Sequence, residues 1–226
     1  MFGNTTAVYN DYNFSFNALQ NDFQLKLASG IRDLSLKQDF DLYPYTGHKL
    51  KFGGIYTYHK FTPSVISGKQ DTTVFTPNNA QLKYAHEAAA YVQDDWEINE
   101  KIKIHVGLRY SWFQQTGPYK IYQTDVNGNR TDSTVFGKGK AVKTYGGLEP
   151  RFTFRYALND ETSVKGSVTR NQQYIHLVSN AGTTLPTDIW VPSTYKVKPQ
   201  ISWLYALGLF KNFKNNMYET SVELYY

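Results

Sequence analysis

Between Ile102 and Trp112 every even position is apolar: Ile102, Ile104, Val106, Leu108, Tyr110 and Trp112. The odd positions between them hold Lys103, His105, Gly107, Arg109 and Ser111. Successive side chains of an extended chain point to opposite faces, so this spacing makes one apolar face and one polar face, whereas a helix would scatter both sets around its circumference. The run before it, from Ala88, is joined by the tight turn Asn99-Glu100-Lys101 and supplies an antiparallel partner. Ile102 to Phe113 is about a dozen residues, at the upper end for strands of globular proteins and close to what a tilted strand needs to cross a bilayer. Trp96 lies near the turn, and Tyr110 and Trp112 near the far end. Amphipathic rings at both ends of an apolar strip settle at headgroup depth in membrane-spanning strands. A hairpin of a soluble β-sandwich would also bury an aliphatic face, so this hairpin alone leaves both architectures open.

The rest of the chain decides between them. Strands are expected over Tyr12–Leu19, Phe23–Ile31, Leu34–Leu42 and His48–Phe61, with turns at Gln20-Asn21-Asp22 and Pro44-Tyr45-Thr46-Gly47. Gln38 breaks the apolar phase of the third, and Gly53-Gly54 weakens the fourth. A polar loop is expected from Thr62 to Leu82 and another from Gly117 to Gly146. The second contains Asp125-Val126-Asn127-Gly128-Asn129, which has the look of a calcium loop. Arg130 stands where that motif needs glycine and Phe136 where it needs glutamate, so Asn127-Gly128 reads instead as the turn of a small hairpin. Strands Leu148–Asn159 and Ser163–Arg170 follow, then a third long loop from Asn171 to Lys198, a strand Ile201–Phe213, the short Lys214-Asn215-Asn216, and a last strand reaching Tyr226. From Leu34 onward the connections alternate short and long. A sandwich has no reason for that rhythm, whereas an outer-membrane barrel has short periplasmic turns and long outer loops. The fold expected is all-β, an antiparallel up-and-down transmembrane β-barrel segment of about ten strands forming an open arc of a larger barrel.

Composition is consistent with this reading. Aromatic residues make up 16% of the 226 residues, and there is no cysteine, which excludes disulfide scaffolds and thiolate metal sites. Mean hydropathy is −0.52, and no run of eighteen apolar residues exists, so transmembrane helices are excluded while transmembrane strands are not. The start, MFGNTTAVYNDYNFSF, has neither the basic head nor the apolar centre of a signal peptide, as an internal piece of a larger exported protein would not.

The run AAYVQDDWEINEKIKIHVGLRYSWF from Ala89, together with SGIRDLSLKQDFDLYP (Ser29–Pro44), HKLKFGGIYTYHKFTP (His48–Pro63), LEPRFTFRYALND (Leu148–Asp160) and PTDIWVPS (Pro186–Ser193), resembles the barrel of TonB-dependent outer-membrane receptors, especially those of Bacteroidetes-type bacteria. The resemblance implies active uptake of a large nutrient (a ferric siderophore, cobalamin, haem, glycan or peptide) across the outer membrane of a Gram-negative bacterium. It also implies a 22-stranded barrel filled by an amino-terminal plug and coupled to TonB, with residues 1–226 as part of the barrel domain and the plug, TonB box and signal peptide outside it. Partners implied are outer-membrane lipid, the protein's own plug and TonB, with an imported small molecule or oligomer of unstated identity and no nucleic acid. A porin-like barrel without TonB is the alternative, and a soluble sandwich or adhesin a third.

Candidate site residues fall into three groups. Arg109, Arg151, Arg155, Lys165 and Arg170 are assigned to the polar phase, where they would line the lumen and hold acidic plug residues or an anionic ligand; the plainer reading, a hydrated wall balanced by Glu219 and Glu223, is preferred. Tyr119, Tyr122, Tyr174 and Trp190, in the long loops, could stack on a ligand. Trp96, Tyr110, Trp112, Tyr156 and Trp203 are the membrane-interface aromatics. Asp94 shares the apolar phase of Val92 and Trp96, which requires either a place at the interface or a bulge after Gln93; the interface is preferred. The five histidines, His48, His59, His86, His105 and His176, lack metal-ligand spacing, and no serine or carboxylate constellation marks catalysis, so neither cofactor nor enzymatic activity is expected.

Overall fold

The computed structural model describes residues 1–20, 23–70, 73–75, 81–178 and 189–226. Among these there is no helix, and the strands are β1 (Phe2–Gln20), β2 (Phe23–Leu42), β3 (His48–Gln70), β4 (Thr73–Phe75), β5 (Lys83–Glu97), β6 (Ile102–Thr116), β7 (Tyr119–Thr124), β8 (Arg130–Phe136), β9 (Ala141–Ala157), β10 (Thr162–Gln173), β11 (Ile175–Val178), β12 (Ile189–Pro192), β13 (Gln200–Phe213) and β14 (Tyr218–Tyr225). The main sheet is open and antiparallel, in the order β1-β2-β3-β5-β6-β9-β10-β13-β14, with β4 paired to the end of β3. Neighbours in space follow the chain, the up-and-down arrangement expected. β7–β8 and β11–β12 form two separate two-stranded hairpins, both within long connections at one end of the sheet.

The two faces differ as the alternation requires. Val106 and Leu207 keep 51% and 52% of their surface exposed, whereas Ser111 and Glu149 on the opposite phase keep 2% and 4%. Leu34, Leu36, Leu108, Leu148 and Leu209 join the exposed apolar set, which makes a continuous outer face. Ten residue steps from Ile102 to Trp112 cover roughly 33 Å of strand, or about 23 Å when tilted near 45°, close to the apolar band of an outer-membrane barrel. Trp96 and Tyr156 lie at the short-turn end, in register with Ile104 and Ile102. Tyr110, Trp112 and Trp203 lie toward the long-loop end, opposite Leu148, Gly146 and Arg170. Asp94 sits on the outer phase of β5 next to the lower turn. His48 Nδ1 meets its carboxylate at 2.7 Å while the imidazole stacks on Trp96 at 5.2 Å, and the β5 register runs without a bulge, so the charge is paired at the edge of the band.

Several boundaries differ from expectation. β1 begins at Phe2 and not Tyr12, held along its whole length to β2. The two segments expected at Phe23–Ile31 and Leu34–Leu42 are one strand; Arg32 continues it, with its guanidinium on Asp11 of β1 at 2.6 Å. The loop expected from Thr62 is still strand to Gln70, because backbone pairing with β2 persists beyond the apolar band where the period-two signal stops. The turn expected at Asn21 and Asp22 lies outside the described residues. The small hairpin expected at Asn127-Gly128 is present as β7–β8: Gly128 takes the left-handed conformation (φ 83°), and Asp125 Oδ1 accepts the backbone N–H groups of Asn127 and Asn129. These bonds, Asn129 first, hold the Asp125 carboxyl below the usual carboxylate range.

Candidate functional site

The inner face is polar along its lower half and closed over near the long-loop end. There the β11–β12 hairpin folds back against the sheet, with β12 reaching β2 and β3. The anchor is Tyr174, between β10 and β11. Its ring stacks on Phe113 of β6 at 5.1 Å and 8°, and its hydroxyl meets Ser111 Oγ at 2.9 Å. Phe113 is on the odd phase of β6, so the strand turns this ring inward while Trp112 points out. Phe113, Tyr174, Ile31, Phe61 and Ala85 are buried together, with Tyr145, Ile175 and Trp190 packed against them. Two bonds pin the far side of the loop: the Tyr145 hydroxyl donates to the Thr194 carbonyl (2.7 Å), and the Ser193 N–H to the Tyr174 carbonyl (2.7 Å). Within the hairpin, buried His176 meets Ser193 Oγ through Nε2 at 2.9 Å, and burial pushes its imidazole below the ordinary histidine value.

Beneath this hairpin lies a cavity of about 720 Å³ lined by Asn10, Tyr12, Ile31, Asp33, Glu87, Gln172, Gln173, Tyr174, Ile175, Leu177 and Trp190. Of the four loop aromatics singled out from the sequence, Tyr174 and Trp190 meet here. Tyr119 and Tyr122 do not: they belong to the β7–β8 hairpin. The Tyr122 ring is flanked by Arg130 (4.3 Å) and Lys120 (5.1 Å), and the Tyr119 hydroxyl is pushed up by burial and by nearby Tyr195. Sequence reasoning missed Tyr12, Asp33, Glu87 and His59. Asp33 Oδ1 meets His59 Nδ1 at 2.8 Å, and Glu87 Oε2 lies 3.5 Å from Nε2. The three residues come from β2, β3 and β5, and only the cross-strand register, Asp33 opposite His59 and His59 opposite Ala85, brings them together.

The basic residues divide. Arg109 lies 3.8 Å from buried Glu149, and Arg151 donates to Asn171 at 3.4 Å. Arg155 is in register with both Lys103 and Lys165, a row of three cations across β6, β9 and β10, with Lys165 over the Phe210 ring at 3.9 Å. These share the odd, inner phase. Arg170 does not. It shares the phase of Val164 and Val168 and stands opposite Trp203. The β9–β10 ladder ends at Arg151/Thr169, and the Arg170 guanidinium reaches across the gap to donate to the Leu148 carbonyl. Its register phase is that of Val168, yet its guanidinium turns over the ended ladder, where it caps the free Leu148 carbonyl beside Gln172, which lines the upper cavity. Every histidine is bonded across strands or within the hairpin, His105 to Asp95 (2.6 Å) and His86 to the Tyr56 hydroxyl (2.6 Å) among them, and no described group of acidic and histidine side chains is arranged to hold a metal.

An open antiparallel sheet with one apolar and one polar face, short turns at one end and folded hairpins at the other is matched over residues 2–226 by the family model for the TonB dependent receptor-like β-barrel. The chain belongs to the TonB-dependent receptor β-barrel family. This is a family of outer-membrane transporters and receptors of Gram-negative bacteria. Solved structures agree on the fold. The ferric yersiniabactin uptake receptor FyuA from Yersinia pestis superimposes with a TM-score of 0.62 at 15% identity, covering 93% of this chain and 30% of that one. The copper transporter OprC gives 0.63 at 15% identity, covering 94% and 33%. The ferric citrate transporter FecA, unliganded, gives 0.60 at 11% identity, covering 99% and 31%. The chain thus spans about a third of the length of each of these structures. No curated protein matches the sequence.

Proposed function

We propose that this chain forms part of the wall of a TonB-dependent transporter that actively takes up a large nutrient across the outer membrane. Residues 1–226 are read as a piece of the barrel domain, with a plug domain and TonB as partners beyond it. The observation that carries this reading is the inward fold of the β11–β12 hairpin, locked by the Phe113–Tyr174 stack. A passive porin keeps a water path along its wall, whereas here the wall is covered on its inner side at the long-loop end, as a gated, ligand-binding lumen requires. The facing cations Arg155 and Lys165 support a plug: like charges directly opposite one another repel, and acidic plug groups facing them would offset that, while Lys103 beside them is already paired with Glu97. The outer apolar face contacts lipid, and Trp96, Tyr110, Trp112, Tyr156 and Trp203 sit at its two borders.

The test is permeation. The complete receptor in lipid vesicles should pass no small sugar without energy, and nutrient uptake by cells carrying it should vanish when TonB is deleted. Free diffusion of arabinose into the vesicles would favour a porin and overturn the reading.

A further inference from the structure

The cavity under the β11–β12 hairpin differs in charge from the wall below it. Lower on the same face, a smaller cavity of about 250 Å³ is lined by Lys37, Lys51, Arg109 and Arg151. Among its described lining residues the upper cavity has two carboxylates, Asp33 and Glu87, and no lysine or arginine. His59 stands between them, 4% exposed, bonded to Asp33 through Nδ1, with no hydrogen-bond partner for Nε2. One imidazole cannot neutralise two carboxylates: the cluster carries one negative charge if His59 is protonated and two if it is neutral. Unbalanced charge at a part-buried site is costly unless a counter-charge meets it. The same lining includes Tyr12, which is 45% exposed, and Trp190, aromatic surfaces that attract cations and apolar bodies alike, while the Tyr174 ring is closed against Phe113.

We propose that this cavity recognises an organic cation, with a primary ammonium or guanidinium group seated against Asp33 and Glu87 and a ring or aliphatic body lying on Tyr12 and Trp190. A volume of about 720 Å³ holds a ligand of small-molecule size. An anionic ligand would bring its charge to the two carboxylates with no cation among the described lining residues to receive it. The inference rests on the transporter reading insofar as the hairpin end faces the medium, and it adds the charge class of what is captured there.

Three naphthyl probes of equal size separate the possibilities when titrated calorimetrically into the complete receptor in detergent: naphthylethylamine, naphthylethanol and naphthylacetate. The amine should bind at least tenfold more tightly than the alcohol, and the carboxylate more weakly than either. Asp33→Asn with Glu87→Gln should erase the amine's advantage while alcohol affinity stays within threefold, which shows that the cavity is intact. Glu87→Gln alone, leaving the Asp33–His59 bond, should cut the advantage at least threefold. The inference fails if the carboxylate binds as well as the amine, if the preference survives the double variant, or if no probe binds. Failure of the probes with TonB-dependent uptake retained overturns the charge class and spares the transporter reading; amine preference without such uptake does the reverse.

Discussion

Leu207→Arg puts a charge on the outer face of β13 midway between Trp203 and Phe213, opposite Gly166 and Leu224, with no acidic residue in register to receive it. Leu207 is half exposed on the outer face. If that side meets hydrocarbon, an arginine at this depth should cost about 2–4 kcal/mol, a shift of about 30- to 700-fold in the folding equilibrium. Ala206→Arg, one residue away, turns the same side chain to the inner face opposite Ser167, and should cost under about 1 kcal/mol because that face is wet. A soluble protein with a packed core would also reject arginine at Leu207, so a second comparison is needed. Leu207→Phe combined with Leu209→Phe adds volume that lipid accommodates, while a close-packed core loses about 1–3 kcal/mol. The assay is a guanidinium titration of the complete receptor folding into phospholipid vesicles, followed by heat-modifiable gel mobility. Equal penalties at 206 and 207, or a double phenylalanine variant as damaging as the arginine, would refute the assignment of this face.

Other outcomes follow from the same geometry. Phe113→Ala removes a fully buried ring and its stacked partner, should cost about 3–5 kcal/mol locally, and should free the β11–β12 hairpin, seen as faster amide exchange over Ile175–Val178. His176 is held below its unfolded value of 6.5, so its contribution is complete above about that pH and is lost as pH falls; the protection of hairpin amides, measured relative to intrinsic exchange, should drop between pH 7.5 and 5, and His176→Gln should flatten the dependence. Gly166→Val should destabilise by about 1–2 kcal/mol, because a Cβ there would lie 2.5 Å from the Phe154 ring that covers it; thermal inactivation of the vesicle-bound receptor reads this, and an unchanged midpoint would show that the ring moves freely.

What could be read from residues alone tracks how local the physics is. The alternation in Ile102–Trp112 separates an apolar from a polar face, so it is written residue by residue, and strand order followed from loop lengths. Where the apolar face stops, that signal stops: Thr62–Gln70 remains paired to β2 although its composition reads as loop. The cavity was half visible. Tyr174 and Trp190 stand out as loop aromatics, but Asp33, His59 and Glu87 lie on three strands, and no spacing in one strand announces a partner in the next. The inward fold of the hairpin, which makes Tyr174 a buried anchor, depends on Phe113 and Ser111 more than sixty residues earlier.

The central claim is that β6 has lipid on one face and water on the other, and a nitroxide scan reads it directly. The segment has no cysteine of its own. Single cysteines placed from Lys103 to Trp112 in the complete receptor, spin-labelled and reconstituted in bilayers, should collide with oxygen at even positions and be shielded from it at odd ones, in strict period two, with a water-soluble nickel chelate reaching odd positions below the hairpin but not Ser111 beneath it. A scan with no alternation, or with even positions shielded from both reagents, would mean that the apolar face packs against protein and would contradict the account.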